Sequence, residues 1–354
     1  MRSPAIGNVA VLLAALLLGA CGSGTSRLPT GASASGSPAL RPLQGQGQLY
    51  GYINASGSFV IPPQYAEAGP FRDGLAAVAV GDLLHRKYGF IAPSGKFVIS
   101  PQYDDVGWFS EGLASITMAH LVGFIDKQGG LIIAPRFDRV IAFHDGVAPV
   151  RVAGQWGLID RSGNFLINPI FENVFENAEG LSAVKIKGQY GYIDTKGKFA
   201  INPRLAASYS FSEGLGAFQS SGGKWGYLNR EGQVVVPATF DEARNFREGL
   251  AAVRIGRSFG FIDKSGKLLI APRFEDVGGI PNGFSEGTAA VSIGQKWGYI
   301  DRSGKIVIAP QFGGGALDDS LNDWSFHDGI ASVLIAGKPG YINRSGKLIA
   351  IADQ

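Results

Sequence analysis

From residue 48 onwards, apolar and polar positions alternate in short bursts that return in the same order. One burst reads KWGYID at 296–301, the next KIVIAP at 305–310, and a third GLAAVRIG at 249–256. Each is rich in β-branched or aromatic residues, and none runs long enough without Gly or Pro to sustain a helix. Asp301-Arg302-Ser303-Gly304 separates the first two bursts. Asp at the first place and Gly at the fourth suit a tight turn, so these bursts form a hairpin. The third burst reaches the next first burst through a short turn such as Gly294-Gln295. The unit is therefore a three-stranded antiparallel meander.

The anchor of each unit is a glycine after an aromatic residue: Gly51, Gly89, Gly123, Gly157, Gly191, Gly226, Gly260, Gly298 and Gly340. A spacing near 34 residues marks a tandem array. Helical repeats of similar length exist, but the short apolar bursts argue for strands. In 296–301, Trp297 and Tyr299 point to one face and Gly298 and Ile300 to the other. Both faces then need cover, and neighbouring units supply it. The anchor glycine is expected to make room for a large aromatic side chain of a neighbouring strand. A proline is expected to close each second strand, as at Pro101, Pro135 and Pro310. A loop follows with Phe-x-Asp/Glu-Gly, its phenylalanine (Phe71, Phe109, Phe143, Phe211, Phe246, Phe284, Phe326) pinning the loop to the core.

These co-recurring positions resemble the bacterial WG repeat family: Trp-Gly-aromatic-Ile-Asp-x-x-Gly, then apolar-Ile-x-Pro-x-Phe, then Phe-x-Glu-Gly-Leu-Ala. The resemblance covers nine copies over residues 50–354. The anchor departs from Trp at Tyr50, Tyr88, Val122, Tyr190, Phe259 and Pro339, with Val122 and Pro339 the weakest. The resemblance implies architecture and no particular chemistry. The expected fold is all-β, with three-stranded meanders stacked in an open, twisted, solenoid-like array. The alternative is a closed, propeller-like ring. Nine first strands, nine second strands and eight third strands, with a final meander complete at the C-terminal end, favour the open form.

Residues 1–20 join a basic start to a short apolar run that ends Leu18-Gly19-Ala20-Cys21. The run is shorter than the ~20 residues of a spanning helix and suits a secretory signal. Its ending resembles the lipobox of bacterial lipoproteins, which implies acylation of Cys21, a membrane anchor and a cell-envelope location. Gly22 in place of Asp points to the outer membrane, on its periplasmic or surface face. Residues 21–47 read as the lipidated cysteine and a flexible Gly/Ser/Pro-rich linker. Residues 48–354 are the array.

Composition narrows the chemistry. Glycine makes up 52 of 354 residues, about twice the roughly 7% usual. Without a collagen period, these glycines need local reasons. A net charge of +3 from 32 basic and 29 acidic residues gives no footprint for nucleic acid. Cys21 is the single cysteine, so no disulfide forms within the chain. His144 and His327 share a position that Arg72, Ser110, Ser212 and Ser285 also fill, which reads as a solvated turn rather than a catalytic base. No zinc spacing, nucleophile elbow or phosphate loop occurs, so no cofactor, metal or catalytic set is expected. Asp73, Glu111, Asp145, Glu179, Glu213, Glu248, Glu286 and Asp328 recur once per unit. They form a potential acidic stripe, for which turn chemistry is the simpler account.

In arrays, insertions carry function more often than the regular face. Extra residues fall near His85-Arg86-Lys87, at 278–282 and at 313–326. The last holds Asp318, Asp319, Asp323 and Trp324, acids beside an aromatic ring, the candidate contacts for a cation or sugar. The expected function is a non-catalytic envelope scaffold that binds a protein or polysaccharide partner. The alternatives are a carboxylate-dependent glycan hydrolase, or a spacer or modulator of another envelope factor.

Overall fold

The computed structural model describes residues 40–82, 84–278, 283–313 and 324–353. The chain is all-β. Strands β1 (Arg41–Gln44), β2 (Tyr50–Ile53) and β3 (Phe59–Tyr65) make a first antiparallel sheet. β4 (Glu67–Ala68), β5 (Ala76–Val80), β6 (Lys87–Ile91) and β7 (Phe97–Tyr103) make the second, in sequence order. The meander expected from the sequence is β5-β6-β7. The two-residue strand β4, from the loop after the previous unit's last strand, adds a fourth. The β4–β7 arrangement recurs along the chain, and the last two units join through one bridge, Gly313 to Leu334. Among the described residues, no sheet rolls into a barrel.

The proline does not end its strand. β7 runs through Pro101 to Tyr103. Across β6 and β7, Tyr88 faces Tyr103 and Phe90 faces Ile99, so one intervening residue on one strand opposes three on the other. The surplus bulges over Gly89. A Cβ on Gly89 would lie 2.5 Å from the Ile99 carbonyl oxygen and 2.7 Å from the Pro101 nitrogen. At Gly298 the same distances are 2.6 Å and 2.7 Å. The anchor glycine therefore admits the bulged backbone of its own hairpin partner, not an aromatic side chain from elsewhere. Where Pro339 replaces the aromatic residue, the bulge is smaller, and a Cβ on Gly340 would stand 2.9 Å from the Ala350 oxygen.

Successive sheets pack through aromatic pairs. The loop phenylalanine turns back onto the middle strand of the preceding sheet: Phe109 on Phe90 at 4.7 Å, Phe211 on Tyr192 at 4.8 Å, Phe246 on Tyr227 at 4.7 Å. Where that strand carries tyrosine, its hydroxyl donates to the carbonyl two residues before the phenylalanine, as Tyr192 does to Tyr209 at 2.7 Å. Both rings are almost wholly buried, which a lone meander could not achieve.

The two ends of the array meet. Tyr341 Oη donates to the Pro42 carbonyl at 2.8 Å, and the Asp353 N–H donates to the Gln44 carbonyl at 3.2 Å. Leu43 and Ile53 lie in one core cluster with Tyr341 and Ile342. The turn glycine Gly57 abuts Ile349, as Gly95 abuts Ile61 and Gly129 abuts Ile99 between neighbouring units. Of the two arrangements open from the sequence, these contacts describe the closed ring rather than the open array. β1 is the ninth third strand that the sequence count lacked, and Asp353 makes a single backbone hydrogen bond to it. The linker boundary at residue 47 moves accordingly, since Leu40 and Leu43 are buried. Cys21 lies outside the described residues.

Candidate functional site

The recurring acids sit at the end of the sheets that carries the Asp-x-x-Gly turns. Each adopts a left-handed backbone, with φ between 50° and 55° from Asp73 to Asp328. This conformation is uncommon for a residue with a side chain. Each carboxylate is engaged by the following unit. Asp73 accepts from the Gly112 N–H at 2.9 Å, Asp145 from Gly180 at 2.9 Å, Glu213 from Gly249 at 3.0 Å and Glu286 from Gly329 at 3.0 Å. Turn cations add a second contact: Lys127 to Asp73 at 2.6 Å, Lys264 to Glu213 at 3.1 Å, Arg344 to Glu286 at 2.7 Å. Burial works to raise the Glu286 pKa, but the Gly329 N–H and Arg344 outweigh it and hold it below the usual carboxylate range. Asp328, last in the series, faces Arg41 of β1 at 3.9 Å. The stripe is thus a chain of clasps between units.

The Ser/Arg/His position is not a solvated turn. Ser110 is buried and donates to the Phe143 carbonyl at 2.7 Å, and Ser285 repeats this to Phe326 at 2.7 Å. His144 takes another route and lies 2.5 Å from Glu176. Burial works to lower its pKa, but Glu176, with Glu111 and Asp145, outweighs this and raises it. Beside this pair, Asn177 replaces the loop phenylalanine, and its partner position holds Leu158 instead of an aromatic ring. Asn177 is 2% exposed, and both its amide atoms lack a hydrogen-bond partner, as does Ser182 Oγ. In the next unit the places of Leu158, Asn177 and Ser182 hold Tyr192, Phe211 and Gly216, which pack tightly. The sequence signal was the one gap in the phenylalanine series.

Asp318, Asp319 and Asp323 lie outside the described residues. Trp324 does not present its ring to a ligand. It is 4% exposed, stacks on Trp297 at 5.2 Å and 20°, and its carbonyl accepts from Tyr299 Oη at 2.8 Å. It fills the place of Tyr209, which stacks on Trp225 at 4.9 Å. The basic turn near residue 85 is likewise engaged: Asp82 holds His85, Arg86 pairs with Glu67, and Lys87 reaches Asp104 at 2.5 Å. Among the described residues, no group of three or more His, Cys, Asp or Glu is placed to hold a metal ion.

Each unit therefore needs an anchor glycine under a bulged Ile-x-Pro, an acid clasping the next glycine and a phenylalanine turned back onto the core. The pattern of the WG containing repeat matches residues 50–83, 88–118, 123–156, 156–190, 190–225, 225–257, 259–297 and 297–314. The chain belongs to the WG repeat family. The geometry extends that membership to the final WG unit and to β1, which lie beyond the matched segments. No curated protein matches the sequence. Among solved structures, a eukaryotic initiation factor is similar in fold, with a TM-score of 0.58 at 12% identity over 90% of this chain and 98% of that one. BamB from Moraxella catarrhalis aligns with a TM-score of 0.45 at 11% identity, over 79% of this chain and 94% of that one.

Proposed function

We propose that this WG repeat protein is a non-catalytic scaffold of the cell envelope, anchored by acylation at Cys21, that binds a protein or polysaccharide partner. The observation that carries the reading is the fate of the recurrent carboxylates. From Asp73 to Glu286 each accepts a backbone N–H of the next unit. The groups best suited by number to acid–base work are thus committed to joining units. A ring that holds its loops in fixed relation suits recognition across several units. The Leu18-Gly19-Ala20-Cys21 ending supports the lipid anchor, and Gly22 after it supports outer-membrane placement.

The test is capture from intact envelopes with the acylated protein and with a version lacking residues 314–323. The deletion stops short of Trp324 and Phe326 because both are core residues. Labelled fatty acid should enter the protein and be lost in Cys21→Ser. A partner captured saturably by the full chain supports the scaffold. If only the full chain captures it, contact falls on the Asp318, Asp319 and Asp323 segment. Turnover of envelope glycans that stops in Asp318→Asn or Asp323→Asn would overturn the non-catalytic reading.

A further inference from the structure

The end of the sheets opposite the acidic clasps carries a second recurrent position, the first residue of each short strand. It is Glu67, Asp105, Arg139, Asn173, Ala207, Glu242 and Asp276 in successive units. Each faces a residue on the adjacent strand. Glu242 faces Arg254, and the two form an ion pair at 3.2 Å. Arg244 adds a second contact to Glu242 at 2.8 Å. The position thus brings two head groups within reach of each other.

One unit reverses the charge. Arg139 faces Arg151 in the strand register, so two arginine residues occupy directly opposed places. Like charges so placed are destabilising. Arg151 Nε is buried without a hydrogen-bond partner, and Arg139 is exposed. Among the described residues, neither arginine has an acid within 4 Å, although Asp138 adjoins Arg139 in sequence. In the next unit Lys185 takes the place of Arg151, 4.0 Å from Glu172 and 5.5 Å from the Tyr190 ring centre.

We propose that Arg139 and Arg151 form a binding site for a single phosphate or carboxylate group. An anion between them would relieve their repulsion and use guanidinium donors suited to two-point contact. This deepens the scaffold reading and rests on it, since it names the chemistry a partner would present.

The experiment is calorimetric titration of the full acylated protein in detergent at low ionic strength, with inorganic phosphate and acetate as probes. Saturable binding of either is expected, and the probe bound more tightly identifies the source. Arg139→Gln and Arg151→Gln should each weaken it at least tenfold, while Arg254→Gln should leave it unchanged. Arg139→Glu should abolish binding yet raise the melting temperature by a few degrees, because it recreates the Glu242–Arg254 pairing. No saturable heat with either probe, or equal weakening by Arg254→Gln, would overturn the site. A lower melting temperature in Arg139→Glu would overturn the repulsion argument. The titration reads the site without any partner, so its failure is distinguishable from failed envelope capture.

Discussion

The internal junctions and the closing junction fill the same places with different chemistry. Inside the ring, Tyr192 Oη reaches Tyr209, 17 residues along. At the closure, Tyr341 Oη reaches Pro42, 299 residues back. Inside, Asp145 clasps the Gly180 N–H, whereas at the closure Asp328 faces Arg41. Inside, a continuous chain supplies a two-residue fourth strand; at the closure, Asp353 gives one backbone hydrogen bond to Gln44. Each place must be filled, but the filling residue need not be bound in sequence. Position in the ring, more than the motif, sets what a residue must do.

The largest contrast lies between Gly298 and Gly340. Gly298→Ala would drive a methyl into the Ile308 and Pro310 backbone, an overlap expected to cost about 3 kcal/mol or more. Gly340→Ala meets a looser bulge and should cost about 1 kcal/mol, both read as urea midpoints. Leu43→Ala comes next. It removes a buried side chain shared with the last unit, at about 2–5 kcal/mol. A cost under 1 kcal/mol would mean that β1 is not part of the core. Gly57→Ala follows. Both Gly57 and Gly95 have positive φ, but a Cβ on Gly57 would strike the Ile349 backbone, whereas one on Gly95 would meet only the Ile61 side chain at 3.4 Å. Gly57→Ala should therefore cost about 1 kcal/mol more than Gly95→Ala, and equal costs would deny the junction.

Smaller still is Tyr341→Phe, which removes one hydrogen bond worth about 1 kcal/mol. Burial pushes the Tyr341 hydroxyl up to about 12. Tyr192→Phe should match this loss, whereas no effect at Tyr341 alone would separate the two junctions. The smallest effect is acid sensitivity at Glu286. Its pKa is lower in the fold than in the open chain, so its clasp contributes fully above the ordinary carboxylate value. That contribution fades as pH falls through the lowered value. Glu286→Gln should flatten this part of the stability–pH profile by under about 1 kcal/mol.

Much of the ring was legible because the repeat is written in residue types with narrow uses. Gly298 after Trp297, Pro310 and Phe326 each mark a turn, bulge or packing place. The role of the anchor glycine was misread because the bulge lies in a difference of spacing. Trp297 and Tyr299 are two residues apart, while their partners Phe312 and Ile308 are four apart. β1 was hidden by its setting, as Arg41–Gln44 adjoins a Gly/Ser/Pro-rich stretch. Its signals were Leu40, Leu43 and a missing third strand. The sequence places Trp324 in a loop because eight added residues precede it, yet it stands two before Phe326, as Tyr209 stands two before Phe211. The Arg139–Arg151 pairing could not be read without the register of β-strands far shorter than any sequence pattern resolves.

Closure is the central claim, and a distance decides it. Cysteines at Gln48 and Asp353, with Cys21 replaced by Ser, would carry a donor and an acceptor dye. Gln44 connects both sites, through its side chain to Gln48 and through its carbonyl to Asp353. The ring predicts near-complete energy transfer. Nine sheets stacked openly at ~10 Å spacing would hold the dyes about 80 Å apart, and near-zero transfer would contradict the account.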